Sequence, residues 1–292
     1  MFIFVLLLSS CSEYQLSGKD PIIPGDDNIE DVIDDTDNTQ VDTAIEDTED
    51  PPIEEAAPIA VCNVVPNPVT PPFTPATFSG ADSYDPSGNQ IVMYYWELVE
   101  TPEGSSATLP YNSGIDITDF YADLAGEYVG ELTVTNDLGF TDTCRASLEA
   151  IPAQNLWVEM FWQYSGDDMD LHLLAPNGTL ESDLDCYYAN CTWGGLDWGQ
   201  PGITQDDPSL DIDDISGVGP ENINIYSPSN TGNYTVYVHD YPGSIYDPAN
   251  EVTINIYLNG SLVWTDTRQI SGEDSYTPFA QIDWSTQTIT PM

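Results

Sequence analysis

Acidic residues form two clusters in the C-terminal half of the chain, with a spacing that suits a hard metal ion. Asp167, Asp168 and Asp170 lie before and within one strand-like run, and 206–214 (DDPSLDIDD) supplies the second cluster, with Glu221 downstream. Carboxylates at alternate positions of an extended chain project to one side. Two such segments side by side can supply the roughly six to eight oxygen ligands that Ca²⁺ takes. The predicted Ca²⁺ ligands are Asp167, Asp168, Asp170, Asp207, Asp211, Asp213 and Asp214.

An alternative interpretation of these clusters stays open. In a chain with 50 acidic residues, short runs of carboxylates also arise as solvated side chains and turn caps. The spacing does not match an EF-hand loop, whose central glycine and terminal glutamate are missing.

The segment CYYANCTWGGLDWG (186–199) is rich in aromatic and glycine residues. Aromatic rings on a rigid loop stack on sugar rings or anchor a protein partner. The candidate ligand-binding residues are therefore Tyr187, Tyr188, Trp193 and Trp198, and the candidate ligands are a carbohydrate or a cell-surface protein. In the alternative interpretation, these rings cover the edge of a β-sandwich as a minor core.

The start of the chain combines an apolar run with a cysteine. Residues 1–8 (MFIFVLLL) are too few to span a bilayer as a helix, and Leu8-Ser9-Ser10-Cys11 follows. This order resembles a signal peptide ending in a bacterial lipobox, although no basic residue precedes the apolar run. The resemblance implies that residues 1–10 are removed and that Cys11 is acylated and anchors the protein to a membrane. Ser12 after the cysteine implies the outer membrane, on its periplasmic side or at the cell surface.

Four further cysteines remain: Cys62, Cys144, Cys186 and Cys191. An exported chain is expected to oxidise them, and four cysteines allow three pairings. We favour Cys62–Cys144 and Cys186–Cys191, because this pairing keeps each bridge within one of the two modules described below.

Motifs for catalysis are missing from the sequence. There is no Gly-x-Ser-x-Gly elbow, no His-Glu-x-x-His and no phosphate-binding loop. The two histidines are His172 and His239, and His172 beside Asp170 is interpreted as a structural hydrogen-bonding pair. We therefore expect no enzymatic activity. A hydrolase of carbohydrate or peptide is the weaker alternative, since a glycosidase needs only two carboxylates.

The net charge of −47 arises from 50 acidic and three basic residues. Such a charge repels the phosphates of nucleic acid and opposes adsorption to an anionic lipid surface. Nucleic-acid binding is thus excluded as an expected function.

Composition divides the chain into segments. Residues 1–10 are the expected signal peptide, and residues 11–56 hold Cys11 and an acidic tether too poor in apolar residues to fold. Short strand-like runs separated by turn residues then fill 57–150 and 153–292. The prediction is an all-β protein with two antiparallel β-sandwich domains after a disordered acidic linker.

Residues 57–150 resemble the polycystic-kidney-disease (PKD) type of immunoglobulin-like domain. The matching motifs, in order, are GADSYDPSG (80–88), YYWEL (94–98), PEGS (102–105), AGEY (125–128) and LTVTNDLG (132–139). The resemblance implies a spacer or interaction module without catalytic machinery. Asp82 and Asp85 are expected to bond to backbone amides of their turn.

Residues 153–292 resemble exported bacterial C-terminal accessory domains, including pre-peptidase C-terminal domains. The similarity lies in DMDLHLLAPNG (168–178) and GNYTVYV (232–238). It implies a jelly-roll-like module that binds carbohydrate, Ca²⁺ or a partner. The whole chain is thus predicted to be a non-catalytic envelope lipoprotein that displays binding or adhesion modules. A purely structural envelope spacer is the alternative.

Overall fold

The computed structural model describes residues 57–192, 194–229, 232–245 and 248–292. These residues form antiparallel sheets with a single helical turn, which confirms the all-β prediction. The expected lipidation site at Cys11 and the acidic tether lie outside the described residues. No helix in the described ranges has the length and apolar character needed to cross a membrane.

The first module contains six strands in two three-stranded sheets, ordered β1-β2-β4 and β3-β5-β6. The strands are β1 (Asn63–Val65), β2 (Ala76–Ser79), β3 (Ile91–Glu100), β4 (Asp116–Phe120), β5 (Gly126–Asn136) and β6 (Thr141–Ala150). Trp96 of β3 is fully buried against Phe78. The predicted Cys62–Cys144 disulfide is present and joins the chain just before β1 to β6 in the other sheet.

The described residues of the second module form ten strands and one helical turn. They are β7 (Leu156–Trp162), β8 (Met169–Leu174), β9 (Asp185–Cys186), α1 (Tyr188–Cys191), β10 (Pro208–Ile212), β11 (Glu221–Ile225), β12 (Asn233–Asp240), β13 (Asn250–Leu258), β14 (Ser261–Ile270), β15 (Ser275–Asp283) and β16 (Thr288–Pro291). Two five-stranded sheets, ordered β10-β11-β7-β13-β14 and β16-β15-β12-β8-β9, enclose the core. The predicted Cys186–Cys191 disulfide is also present.

Alternation along the strands determines which side chains enter this core. Met169, Leu171 and Leu173 of β8 are fully buried in it, as the sequence predicts for residues on one face of a strand. The opposite face of β8, with Asp170 and His172, is also buried, because tyrosines and loops cover that side of the sheet. The module therefore holds ionisable groups in a poorly hydrated environment.

The two modules contact each other through β7. Trp157 of β7 and Tyr257 of β13 pack with Ala125 of the first module. The Glu159 carboxylate accepts hydrogen bonds from the Ala125 amide (2.6 Å) and the Trp157 indole (2.9 Å). Side chains on one face of β7 thus pack in the core of the second module, and side chains on the other face form the contact between the modules.

Candidate metal centre

The candidate site lies where the start of β8 meets the loop after β10 and the first residue of β11. The short strand β9 pairs with β8 only at Leu173 and Leu174. The backbone N–H of Leu171 therefore lacks a strand partner on that side, and it donates to the Glu221 carboxylate at 2.8 Å. A buried backbone donor requires such an acceptor. This requirement explains why an acidic residue projects between the sheets here.

Three carboxylates converge at this position. Oxygen atoms of Asp170, Asp213 and Glu221 lie within 4.8 Å of one another. Asp170 and Glu221 are 3% and 1% exposed, whereas Asp213 opens to solvent. Asp168 lies on the same cleft and is close enough for its pKa to respond to Asp170 and Asp213. Four acidic groups therefore lie close together in a small space that is only partly open to solvent.

The pKa values of these groups reflect burial first and mutual repulsion second. Burial, followed by the charge of Asp170, raises the pKa of Glu221 well above its ordinary value. Burial, with Asp170 and Asp213 adding to it, raises the pKa of Asp168 to about 7. The pKa of Asp213 is raised too, chiefly by burial. Each shift means that negative charge is unfavourable here unless a positive charge joins the cluster.

Within the described residues, His239 is the basic side chain that lies against the cluster. Arg145 and Arg268, the two arginines in the described ranges, form ion pairs with other carboxylates. His239 Nδ1 lies 3.3 Å from Asp170 Oδ2. This approach lacks hydrogen-bond geometry, and Asp170 Oδ2 remains buried without a hydrogen-bond partner.

The donor set fits a hard divalent cation such as Ca²⁺. All clustered ligand atoms are carboxylate oxygens, which Ca²⁺ prefers. Zinc sites use cysteine or histidine instead. The clustered ligand atoms include no cysteine or histidine, and Cys186 and Cys191 are joined in a disulfide. A buried carboxylate oxygen without a hydrogen bond is also the group that a bound cation would satisfy.

Other predicted Ca²⁺ ligands have different hydrogen-bond partners. Asp167 accepts hydrogen bonds from Asn250 Nδ2 (3.0 Å) and the Asp168 amide (3.2 Å). Asp214 accepts from the backbone amides of the loop that follows it, including Gly217 and Gly219 at 2.9 Å each. These two residues shape the loops on either side of the cluster.

Asp207 and Asp211 are not brought to the cluster. Asp207 accepts a hydrogen bond from the Trp198 amide at 2.6 Å, and Asp211 on β10 accepts from Ser209 (2.6 Å) and Asn224. Glu221, which the sequence indicated only as a downstream acid, takes a central place instead. The feature of the sequence that marks Glu221 is its place as the acidic first residue of the apolar strand β11.

The aromatic candidates divide into exposed and buried rings. Tyr188 is 37% exposed and lines the cleft beside the acidic cluster, together with Tyr241. Tyr187 stacks on His172, with ring centroids 4.9 Å apart. Trp198 is 4% exposed, and its indole donates to the Asp183 carbonyl at 2.8 Å, so it packs as a core residue. Trp193 lies outside the described residues.

Both histidines are buried. His172 bonds through Nδ1 to Asp185 Oδ2 at 2.7 Å, and neither side chain is exposed. The structural pairing expected for His172 is therefore made, but with Asp185 and not with Asp170. Burial lowers the pKa of His239, but its neighbours Asp170 and Asp274 raise it more, so the net shift is upward. Neither imidazole is accessible to a substrate.

Comparisons with known proteins add little. No protein-family model matches the chain, and no curated protein matches it. One solved chain, from work on the structural basis for the promiscuous specificity of carbohydrate-binding modules of the β-sandwich superfamily, matches over 73% of this chain and 100% of its own length. Its identity is 16% and its TM-score is 0.29. Similarity this low carries no inference about function.

Proposed function

We propose that this chain is a non-catalytic cell-envelope lipoprotein whose second module binds Ca²⁺ and displays a ligand-binding surface. The main observation in support is that Asp170, Asp213 and Glu221 converge, with Asp168 beside them. Their mutual repulsion makes the cation-free site unfavourable, and a divalent ion relieves it. Both histidines are buried, so histidine-based acid–base catalysis is not supported, because such chemistry requires a group within reach of the substrate.

We expect the proposed site to bind Ca²⁺ with the affinity of extracellular modules and not with that of tight cytosolic buffers. Such modules bind with Kd values of about 10⁻⁴–10⁻³ M. At about 10 mM Ca²⁺ this corresponds to roughly 1.4–2.7 kcal/mol of added stability. For a chain of this size the melting temperature rises by about 3–10 °C.

Thermal unfolding with and without Ca²⁺ tests the proposal. Wild-type protein is expected to gain this stability, and the Asp213→Asn variant is expected to lose most of the gain. Asp213 is suitable because it is the exposed member of the cluster, so its replacement leaves the core intact. Asp137→Asn, an exposed carboxylate on the first module, is the matched control for the change in charge and should respond as wild type does.

Isothermal calorimetry with Ca²⁺ and Mg²⁺ measures the same site directly. One Ca²⁺ per chain is expected for wild type and for Asp137→Asn. If calorimetry shows no heat and the melting curve does not move with Ca²⁺, the metal-binding proposal is wrong.

A structural envelope spacer is the second candidate function. It is favoured by the buried contact between modules, where Trp157, Tyr257 and Ala125 pack around the Glu159 carboxylate. A spacer would show neither cation binding nor a ligand, so the same calorimetry separates it from the first proposal.

The membrane anchor is a separate part of the proposal and rests on the sequence around Cys11. Metabolic labelling with a fatty acid is expected to mark the wild-type protein and not Cys11→Ala. Retention of the label in that variant would contradict acylation at this cysteine.

A further inference from the structure

The acidic cluster opens into a cleft with an aromatic wall. The cleft measures about 230 Å³ and is lined by Asp168, Asp170, Asp213, Tyr188, Ile215 and Tyr241. A second cleft of about 260 Å³ shares Asp168, Ile215 and Tyr241 and extends past Ile245. Each is smaller than the ~300–1,000 Å³ of pockets for drug-sized ligands, so each suits one small ring. The two clefts are therefore neighbours beside the candidate metal centre.

Coordination of the cation would be incomplete if each carboxylate contributed one oxygen atom, as in the observed cluster. Ca²⁺ takes about six to eight oxygen atoms, so Asp170, Asp213 and Glu221, with Asp168 beside them, would then leave positions to be filled. Asp213 is the exposed member, so the open side of the ion faces the cleft. Oxygen atoms of a bound ligand can occupy those positions.

The aromatic wall offers apolar surface beside these open positions. Tyr188 and Tyr241 are 37% and 38% exposed, and their rings meet edge to face with centroids 5.6 Å apart. Ile215 on the same cleft is 68% exposed. A ligand that fits therefore combines closely spaced oxygen atoms with an apolar face.

Charge decides between ligand classes. The three clustered carboxylates carry one more charge than Ca²⁺ neutralises, Asp168 adds to this excess when ionised, and His239 beside Asp170 offsets at most one charge. The whole chain carries −47. A carboxylate, phosphate or sulfate ligand would be repelled, whereas neutral hydroxyl groups would not. The complementary ligand is therefore uncharged.

We infer that the cleft binds a neutral saccharide through a pair of adjacent hydroxyl groups on the bound Ca²⁺, with the apolar face of the sugar ring against Tyr241 and Tyr188. This inference rests on the proposed Ca²⁺ function and names its ligand class. Tyr241 supplies packing and is not a metal ligand, whereas Asp213 holds the ion. The two residues therefore contribute to separable steps.

The test screens the full-length protein on a glycan array containing neutral, uronic-acid and sialylated glycans, with Ca²⁺ and with EDTA. Calorimetry with methyl glycosides of mannose, glucose and galactose follows. Binding of neutral glycans is expected in Ca²⁺ and lost in EDTA. Tyr241→Ala is expected to weaken binding by about 3- to 10-fold, because ring packing contributes that much. Tyr241→Phe keeps the ring and should stay close to wild type.

Calcium calorimetry on the same samples separates failure of this inference from failure of the proposed function. Tyr241→Ala is expected to bind Ca²⁺ as wild type does, while Asp213→Asn loses both ligands. If Ca²⁺ binds but no neutral saccharide does, the ligand assignment is overturned and the metal site stands. Sugar binding that survives EDTA, or binding confined to acidic glycans, overturns the assignment as well. Absence of both ligands overturns both proposals.

Discussion

Replacing Glu159 with glutamine removes an ionisable group from the contact between the two modules. The side chain is fully buried, and one carboxylate oxygen accepts hydrogen bonds from the Ala125 amide and the Trp157 indole. Burial is the largest cause that raises its pKa, from 4.5 to about 7, against the lowering effect of these hydrogen bonds. Glutamine keeps an acceptor oxygen at this position but never ionises.

The sign of the effect follows from proton linkage. The folded protein binds the Glu159 proton more tightly than the unfolded chain does. The stability contributed by this group is therefore fully present below about pH 4.5 and is lost as the pH rises through about 7. At about 1.4 kcal/mol for each pH unit, the loss approaches 3 kcal/mol.

Urea unfolding of wild type and Glu159→Gln at about pH 4.5, 6 and 8 measures the difference. We expect the free energy of unfolding of the variant, relative to that of wild type, to rise by up to about 3 kcal/mol between the lowest and the highest pH. Glu149→Gln, an exposed glutamate on β6, is the matched control and should show no such trend. A difference between Glu159→Gln and wild type that is constant with pH would refute the reasoning, because changes in packing do not titrate.

Two further predictions concern the first module and its contact with the second. Removing the Cys62–Cys144 disulfide, which spans 82 residues, is expected to lower the free energy of unfolding by about 4–5 kcal/mol. An unchanged urea midpoint after reduction would contradict this. A Cβ at Gly104 would collide with the Phe161 ring, so Gly104→Ala is expected to cost about 1–3 kcal/mol more than Gly88→Ala. Gly88 has nearly the same φ, +83° against +82°, but open space around it, so equal costs for the two variants would exclude the collision.

Several features were predictable because they depend on neighbours along the chain. The alternation of apolar residues in β8 predicted that Met169, Leu171 and Leu173 enter the core, and the structure confirms it. The rule is local, since successive side chains of a strand point to opposite faces. The same alternation along β3 puts Trp96 on an inward face, and this residue is fully buried.

Other elements had too little local signal to be predicted. Local pattern is weakest in β4, β10 and β16, of four or five residues each, and in the two-residue β9. Such short strands exist because longer neighbours pair with them, as β9 does with the end of β8. Because β9 is so short, the start of β8 has no strand partner on that side, and the Glu221 carboxylate accepts the Leu171 N–H there. A two-residue strand therefore determines the geometry of the site.

The aromatic segment 186–199 illustrates a choice that the sequence left open. Its tyrosines and tryptophans suit both a ligand platform and a core edge. In the structure Trp198 is buried in the core while Tyr188 faces the cleft. Side-chain chemistry is similar in both places, so only the packing of the loop against the sheets separates the two roles.

The amino-acid sequence by itself determined the all-β class and the inward faces of the longer strands, and it favoured the observed pairing of the four described cysteines. Only the tertiary structure decided which carboxylates meet. Asp170 comes from one sheet of the second module, whereas Asp213 and Glu221 come from the end and the beginning of strands in the other. Their convergence depends on how two sheets stack, a relation between residues about 40 to 50 positions apart that no local periodicity encodes.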